Sequence, residues 1–423
     1  MLKDSAGRYS KALLLSIFLP FAAGYFLSYL FRAINALIAG DLSRDVGLDA
    51  GQLGFLTSVY LIAFAAAQLP LGIVLDRYGP RKTEAALLLF AASGAAIFAT
   101  ADTVTGLLVG RALIGFGVSA CLMAGFKAFV IWFPLQRLPM INGFLLTAGG
   151  LGVLAAASPL EFALQFTDWR GVFMVLAGVT FGVALLIFFV VPDREQSAAP
   201  VKFKDQLQGL RIIFSSRVFW SIAPVSVIIQ GTAMSVTGLW SGPWLRDVAG
   251  LERHEVAFVL SFIGIGLILG YLLLGIISDL LVRRLSIPPL KVAISGMVIF
   301  LLVQCALVLE WTASPALLWL VYTFFASSGV LIYAVLSQSF APELAGRVNT
   351  SLNLLVFINA FLMQWGIGVV IDYFPGSGAA GYNPLGYQVA FAITLAVQVA
   401  AMIWYFWTVR RNFTNGTAKG AEA

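Results

Sequence analysis

Three basic residues stand inside long apolar runs of this chain: Arg32, Arg111 and Lys127. A charge at bilayer depth costs ~2.5–3.5 kcal/mol on insertion scales, so such a side chain normally faces a cavity or a partner. Arg32 shares a helical face with Tyr25, Ser28, Tyr29 and Asn35, spaced by threes and fours. A guanidinium flanked by hydroxyls and rings is a receptor for a carboxylate, which it grips through two parallel N–H···O bonds. The competing reading is a side chain that snorkels to the outer surface, because Asp41 marks the helix end a few turns later. Lys127, with Met123 and Ser119 on its own face, is a second cationic candidate for the same ligand, or else a snorkelling lysine beside Trp132 and Phe133. Arg111 and Lys127 are about 160° apart around a straight helix, so they cannot both line one pathway.

Polar stripes recur on other runs. One carries Gln230, Met234, Thr237, Ser241 and Trp244; another carries Asn349, Asn353, Phe357 and Gln364. Tyr333 and Ser337 form a third, and Tyr60, Phe64 and Gln68 a fourth. The expected ligand contacts are therefore Arg32, Lys127, Tyr25, Tyr29, Asn35, Gln230, Thr237, Trp244, Tyr333, Asn353 and Phe357. Ordinary hydrogen-bonding glue between helices is the alternative for each of the polar ones. Acids are expected only in loops and at helix ends, as with Asp41, Glu161 and Glu310. Proton pumps usually hold carboxylates or histidines deep in the membrane. A cationic, hydrogen-bonding interior points to an anion instead. It leaves open whether a proton accompanies it or another anion exchanges for it.

The elements that must position these residues follow from composition. Of 423 residues, 60% are hydrophobic and 11% charged, whereas a soluble domain carries about 25% charged residues. Such a chain is an integral membrane protein, in contact with the lipid bilayer and with no nucleic-acid partner. His254 is the single histidine, and Cys121 and Cys305 lie in apolar runs, so no metal cage, cofactor site or catalytic constellation is readable and no enzymatic activity is expected. The glycine-rich stretches lack the Lys-Ser/Thr ending of a phosphate-binding loop.

A ~30 Å hydrocarbon core needs roughly 20 apolar residues. Twelve runs meet or approach that length: 12–40, 51–75, 85–101, 103–132, 138–160, 171–191, 218–245, 256–278, 292–309, 315–339, 348–371 and 386–409. The first is too long for a cleavable leader and lacks a small-residue cleavage site. Six helices in 1–192, a charged linker at 193–217, six helices in 218–410 and a tail at 411–423 are the expected units. Arg44, Arg170, Arg246 and Arg253 occupy the odd-numbered loops, and all other loop and tail cations fall on the opposite side. That bias places both termini in the cytoplasm.

The two halves echo each other. Gly72-Ile-Val-Leu-Asp76-Arg77-Tyr-Gly79-Pro-Arg81-Lys82 follows the second run, and Gly275-Ile-Ile-Ser-Asp279-Leu-Leu-Val-Arg283-Arg284 follows the eighth. Phe133-Pro134 through Arg137 and Ala341-Pro342 through Arg347 match in the same way after the fourth and tenth runs. Parallel six-helix halves can rock about a site near the bilayer midplane.

At these residues the chain resembles a major facilitator superfamily transporter. The Gly72–Lys82 pattern matches that superfamily's signature loop, and Arg111 with Gly115 and Gly117 matches its fourth-helix pattern. The likeness spans 12–409. It implies twelve helices in two pseudo-symmetric bundles and secondary transport by a monomer, with a plasma-membrane location, the inner membrane of a bacterium. It also implies that Gly72, Asp76, Arg77, Gly79, Arg81, Asp279 and Arg283 form a latch between the halves, and that Arg111 and Gly115 are structural. For Asp76 and Asp279 the alternative is a solvated turn. The substrate does not follow, because one fold hosts many functions.

The expected function is uptake of a small, carboxylate-type organic anion by alternating access, through proton symport or anion exchange. An exporter of hydrophobic or cationic compounds, a drug:proton antiporter, is the alternative. The Gly-Pro-x-Gly-Gly pattern of such antiporters is missing from 142–159. A transporter-like sensor or scaffold is a third reading, with less support because both tails are short.

Overall fold

The computed structural model describes residues 13–134, 137–193, 203–341, 344–374 and 381–419, with side chains of 69, 139, 203–207 and 410–419 left out. Every regular element among them is helical. Helix α1 (Leu14–Ala33) opens with a widened turn at Leu14–Phe18 and is joined through Ile34, still helical, to α2 (Asn35–Val46). Then come α3 (Ala50–Thr100), α4 (Val104–Trp132), α5 (Leu138–Ala155) and α6 (Trp169–Val190). After α7 (Phe203–Phe214) follow α8 (Arg217–Asp247), α9 (Arg253–Leu285), α10 (Pro289–Val308), α11 (Pro315–Gln338), α12 (Ala345–Asp372) and α13 (Pro384–Val409).

Eleven stretches are long and apolar enough to cross a membrane, the two arms of α3 counting separately. The expected fifth run, 138–160, is shorter: its apolar helix ends at Ala155, and a turn at 156–157 precedes the short helix Ser158–Ala163. The signature loop is not an open loop. Helix continues on both sides of Gly79, whose φ of 77° and ψ of 166° reverse the chain. A side chain at that backbone geometry clashes with its own carbonyls, which accounts for the glycine. The second arm therefore starts at Pro80, earlier than the expected 85, and carries Glu84 inside a helix. Glu84 is fully buried. The expectation that acids stay out of the spans fails there: the short polar run before Ala85 reads as a loop, yet it is the first turn of an arm covered by its neighbours.

Within the linker expected at 193–217, residues 203–214 form α7, which packs against α12. The first tail, residues 194–202 and parts of the loop pair at 133–137 and 341–347 lie outside the described residues. Exposed Phe181, Phe189, Leu302, Ile403 and Trp407 give the outer helix faces an apolar surface suited to lipid.

The N-terminal helices α1–α6 meet the C-terminal helices α8–α13 along two main seams, α3 on α12 and α5 on α9. Phe64 stacks on Phe357 at 4.0 Å, and Phe55 meets Phe361 and Trp365 edge-on. Gln364 donates to the Thr57 hydroxyl at 2.8 Å. Nearer the end marked by Asp41, the Arg253 guanidinium meets the Asp41 carboxylate at 2.6 Å. Asp372, the last residue of α12, accepts from the backbone N–H groups of Ala50 and Gly51 at 2.9 and 2.6 Å. A carboxylate at a helix N-terminus meets unpaired N–H groups and the positive end of the dipole together. The contacts that join the two helix sets thus gather at midplane and at the Asp41 end.

Candidate functional site

A cavity lies between the two helix sets, with α1, α8, α9 and α11 as its walls. Tyr29, Arg32, Gln230, Met234, Thr237, Tyr271 and Ser327 line it. Its volume of about 110 Å³ is several times what one water requires. Both helices of the first and seventh expected runs depart from regular geometry here. At Ile34, two residues past Arg32, the Leu37 and Ile38 N–H groups share one carbonyl while the backbone stays helical, and α8 takes a wider turn over Val236–Trp240, which carries Thr237 and Gly238. Such insertions in transmembrane helices are frequent at functional sites.

The Arg32 guanidinium lies over the rings of Tyr29, Phe357 and Phe64, at 4.5, 5.0 and 5.7 Å. Its Nε has no hydrogen-bond partner, and among the described residues no carboxylate pairs with it. Rings hold the cation through their faces and the Tyr60 hydroxyl bonds to it, which leaves part of its in-plane N–H edge for a planar anion. The Tyr29 and Tyr271 hydroxyls meet at 3.2 Å across the two helix sets. Gln230 donates to Ser226 at 2.6 Å and Thr237 to the Ala233 carbonyl at 2.7 Å, both on their own helix.

The other residues singled out from the sequence fall elsewhere. Tyr25 is buried behind Tyr29, edge-on at 5.0 Å. The Tyr333 hydroxyl donates to Asn353 at 3.2 Å, close enough to Arg32 and Tyr29 to interact with both. Trp244 is wholly buried against Trp319, away from the cavity lining. Asn35 accepts a short hydrogen bond from Arg111. Lys127 pairs with Asp76 at 2.6 Å and donates to the Leu75 carbonyl at 2.8 Å, so the structure does not bring it to the cavity. Its stem spans from α4 to the end of the first arm of α3, where a carboxylate is already waiting.

Arg111 is fully buried, bonded to Asn35 and to the Phe31 carbonyl, and sandwiched by Phe98 and Phe173. Gly115 lets α4 touch α3, since a Cβ there would overlap the Tyr60 carbonyl. At the Asp76 end the motif residues contact their own helix set. Arg77 lies over Tyr78, Arg81 donates to the Phe188 carbonyl and sits 3.7 Å from Asp193, and Arg283 pairs with Asp279 one turn away. Gly72 lies in the first arm of α3, exposed. In this structure these residues do not join the two helix sets.

Tyr271, Ser327 and Asp372 were not singled out. Tyr271 sits on α9 among Leu267, Ile268, Leu274 and Gly275, so no polar stripe marks it. Asp372 caps a helix 322 positions away in the sequence, a contact no local pattern contains. Beyond the spans, Tyr382 bonds to Ser43 across the Asp41 end at 3.2 Å, and burial pushes its phenol above the usual tyrosine value.

An all-helical membrane chain whose first and seventh expected runs line a shared central cavity has the build of a two-set transporter. Residues 21–364 match the model of the Major Facilitator Superfamily, and the chain belongs to that family. It is similar to a probable sulfoacetate transporter of Cupriavidus necator, 24% identical over 62% of this chain and 64% of that one. It is also similar to a hexuronate transporter of Escherichia coli, 25% identical over 58% of this chain and 62% of that one. The matched region therefore spans less than two thirds of either relative. Among solved structures, a bacterial homologue of the human lysosomal transporter Spinster, inward-facing and unoccupied, superposes with a TM-score of 0.75 at 17% identity, covering 95% of this chain and 98% of that one. That likeness concerns the fold.

Proposed function

We propose that this protein is a secondary transporter of small organic anions, with Arg32 as the group that receives the substrate carboxylate. One observation carries the reading: a cavity-lining guanidinium, held by three rings, without a carboxylate partner. A cation so placed is costly unless something anionic visits it. Gln230, Thr237, Tyr29 and Tyr271 would orient the rest of the molecule by hydrogen bonds, and Phe357 would pack on its apolar face. Tyr333 and Asn353 stand behind them as support. The two named relatives, for sulfoacetate and hexuronate, support an acidic substrate.

Transport proceeds by alternating access, with this state closed at the Asp41 end. The Asp76 end is cytoplasmic, by the cation bias of the loops, and the protein works as a monomer in a plasma membrane of bacterial type. In the opposite state Asp76, Arg77, Arg81, Asp279 and Arg283 engage across the helix sets, and the Asp41 contacts release. An exporter of cations would instead line the cavity with acids, and the charged residue lining it is Arg32.

The test is uptake of labelled sulfoacetate and glucuronate into proteoliposomes of the purified chain. Saturable uptake of either acid, competed by other carboxylates and not by organic cations, is the expected result. Uptake of an organic cation in place of both acids would refute the proposal.

A further inference from the structure

Glu84 is the one fully buried carboxylate among the described residues, and no N–H or O–H group donates to either of its oxygens. It sits just inside the second arm of α3, with Gly24 of α1 directly opposite. A side chain at position 24 would overlap its Oε1, so the glycine makes room for the acid. The titratable group that acts on Glu84 is the Cys121 thiol of α4, itself fully buried. Arg32 of α1 and Tyr60 of the first arm of α3 interact with that same neighbourhood, Arg32 through Cys121 and Tyr60 with both Cys121 and Arg32. The nearby cations are engaged elsewhere. Arg81 and Lys82 meet Asp193, and Lys127 meets Asp76.

An ionised carboxylate buried without a cation, with only the weak donor of a thiol beside it, is prohibitively expensive, and the group takes a proton instead. We propose that Glu84 is the proton-carrying site that couples a proton gradient to anion transport, one proton for each carboxylate. This rests on the anion-transport reading above. The step is a simple one: the Glu84 carboxylate takes one H+ from water when its side of the bundle opens, and the O–H bond breaks to return that H+ to water in the opposite state. No bond in the substrate changes. A monocarboxylate and one proton cross with zero net charge, so a pH gradient drives uptake and the membrane potential does not.

The experiment uses the purified full chain in proteoliposomes, with glucuronate as the probe. Glu84→Gln keeps the shape and holds the site permanently neutral. It is expected to keep glucuronate exchange down its own gradient, to lose accumulation driven by a pH gradient, and to remove a carboxylic-acid C=O band from the infrared spectrum at neutral pH. Accumulation at the parental level in Glu84→Gln overturns the proposal. Glu84→Asp, which retains an ionisable group, is expected to keep coupling with a shifted pH profile. It decides the matter should the glutamine variant fail to fold, and loss of all pH dependence in a folded Glu84→Asp counts against the site. If the parent carries no glucuronate, the anion reading fails separately. The infrared spectrum then still judges the acid: a parental band that titrates with pH and is missing from Glu84→Gln supports a proton site, and no such band overturns it.

Discussion

Arg32 and Arg111 are two arginines at membrane depth, each between aromatic rings, and their surroundings differ in what completes them. Arg111 is wholly enclosed, with Asn35 and the Phe31 carbonyl as acceptors and Phe98 and Phe173 on its faces. Arg32 has rings too, and the Tyr60 hydroxyl as a neutral partner, but it lines a cavity and no carboxylate among the described residues pairs with it. Each keeps an Nε without a partner, so saturation does not separate them; what does is that Arg111 is sealed among helices while Arg32 lines a cavity. The same residue type, on neighbouring helices, serves the fold in one place and the ligand in the other.

The contrast can be broken most forcefully at Arg111. Removing Arg111 leaves the buried Asn35 amide and Phe31 carbonyl without their donor, at about 1–3 kcal/mol for each unpaired group. Arg111→Met should therefore lower the melting temperature sharply and reduce yield of folded protein, while Arg32→Met leaves both near the parent. Equal thermal stability of the two variants would erase the distinction. Next in size is Arg32→Lys, which keeps the charge and loses the planar fork. Loss of one bidentate contact corresponds to about a tenfold or greater fall in carboxylate affinity. Titration calorimetry with glucuronate checks it, and parental affinity would show that charge alone suffices.

A smaller effect is expected at the closed end. Asp372→Asn weakens two charge-assisted bonds to the start of α3, each worth about 1.5–3 kcal/mol. The population open at the Asp41 end should rise, seen as longer distances between spin labels placed across that end. An unchanged distance distribution would remove Asp372 from the gate. Smallest of all is Trp244→Phe, which changes a ring buried against Trp319 outside the cavity. Uptake kinetics should match the parent, and a raised KM would return Trp244 to the ligand site.

Much of this architecture is legible in the sequence because bilayer physics leaves few options. Apolar runs of fixed length must be helices, and a lone Arg among hydroxyls and rings must find a cavity or an acceptor. Arg32, Tyr29, Gln230 and Thr237 could be placed on one cavity by spacing alone, and Arg111 with Gly115 by the motif they share. What spacing does not contain is which partner each polar group chooses. Lys127 looked like a ligand-binding cation because its acceptor, Asp76, lies on another helix across a sharp turn. Asn35 shares a face with Arg32 in projection, yet its side chain accepts from Arg111 on a neighbouring helix. Glu84 read as a loop residue because the turn at Gly79 is tight enough to return the chain to helix within one residue. Each of these depends on which neighbour a side chain meets across helices, which the 3.6-residue period of one helix does not contain.

The central claim is that Arg32 receives a carboxylate in the cavity between the two helix sets. Calorimetric binding of glucuronate and sulfoacetate to purified parent and Arg32→Ala, at matched thermal stability, tests it most directly. The account predicts saturable binding of at least one acid by the parent and a loss of about a hundredfold in affinity for Arg32→Ala, the scale of a buried charged contact. Parental affinity in the folded Arg32→Ala variant would contradict it.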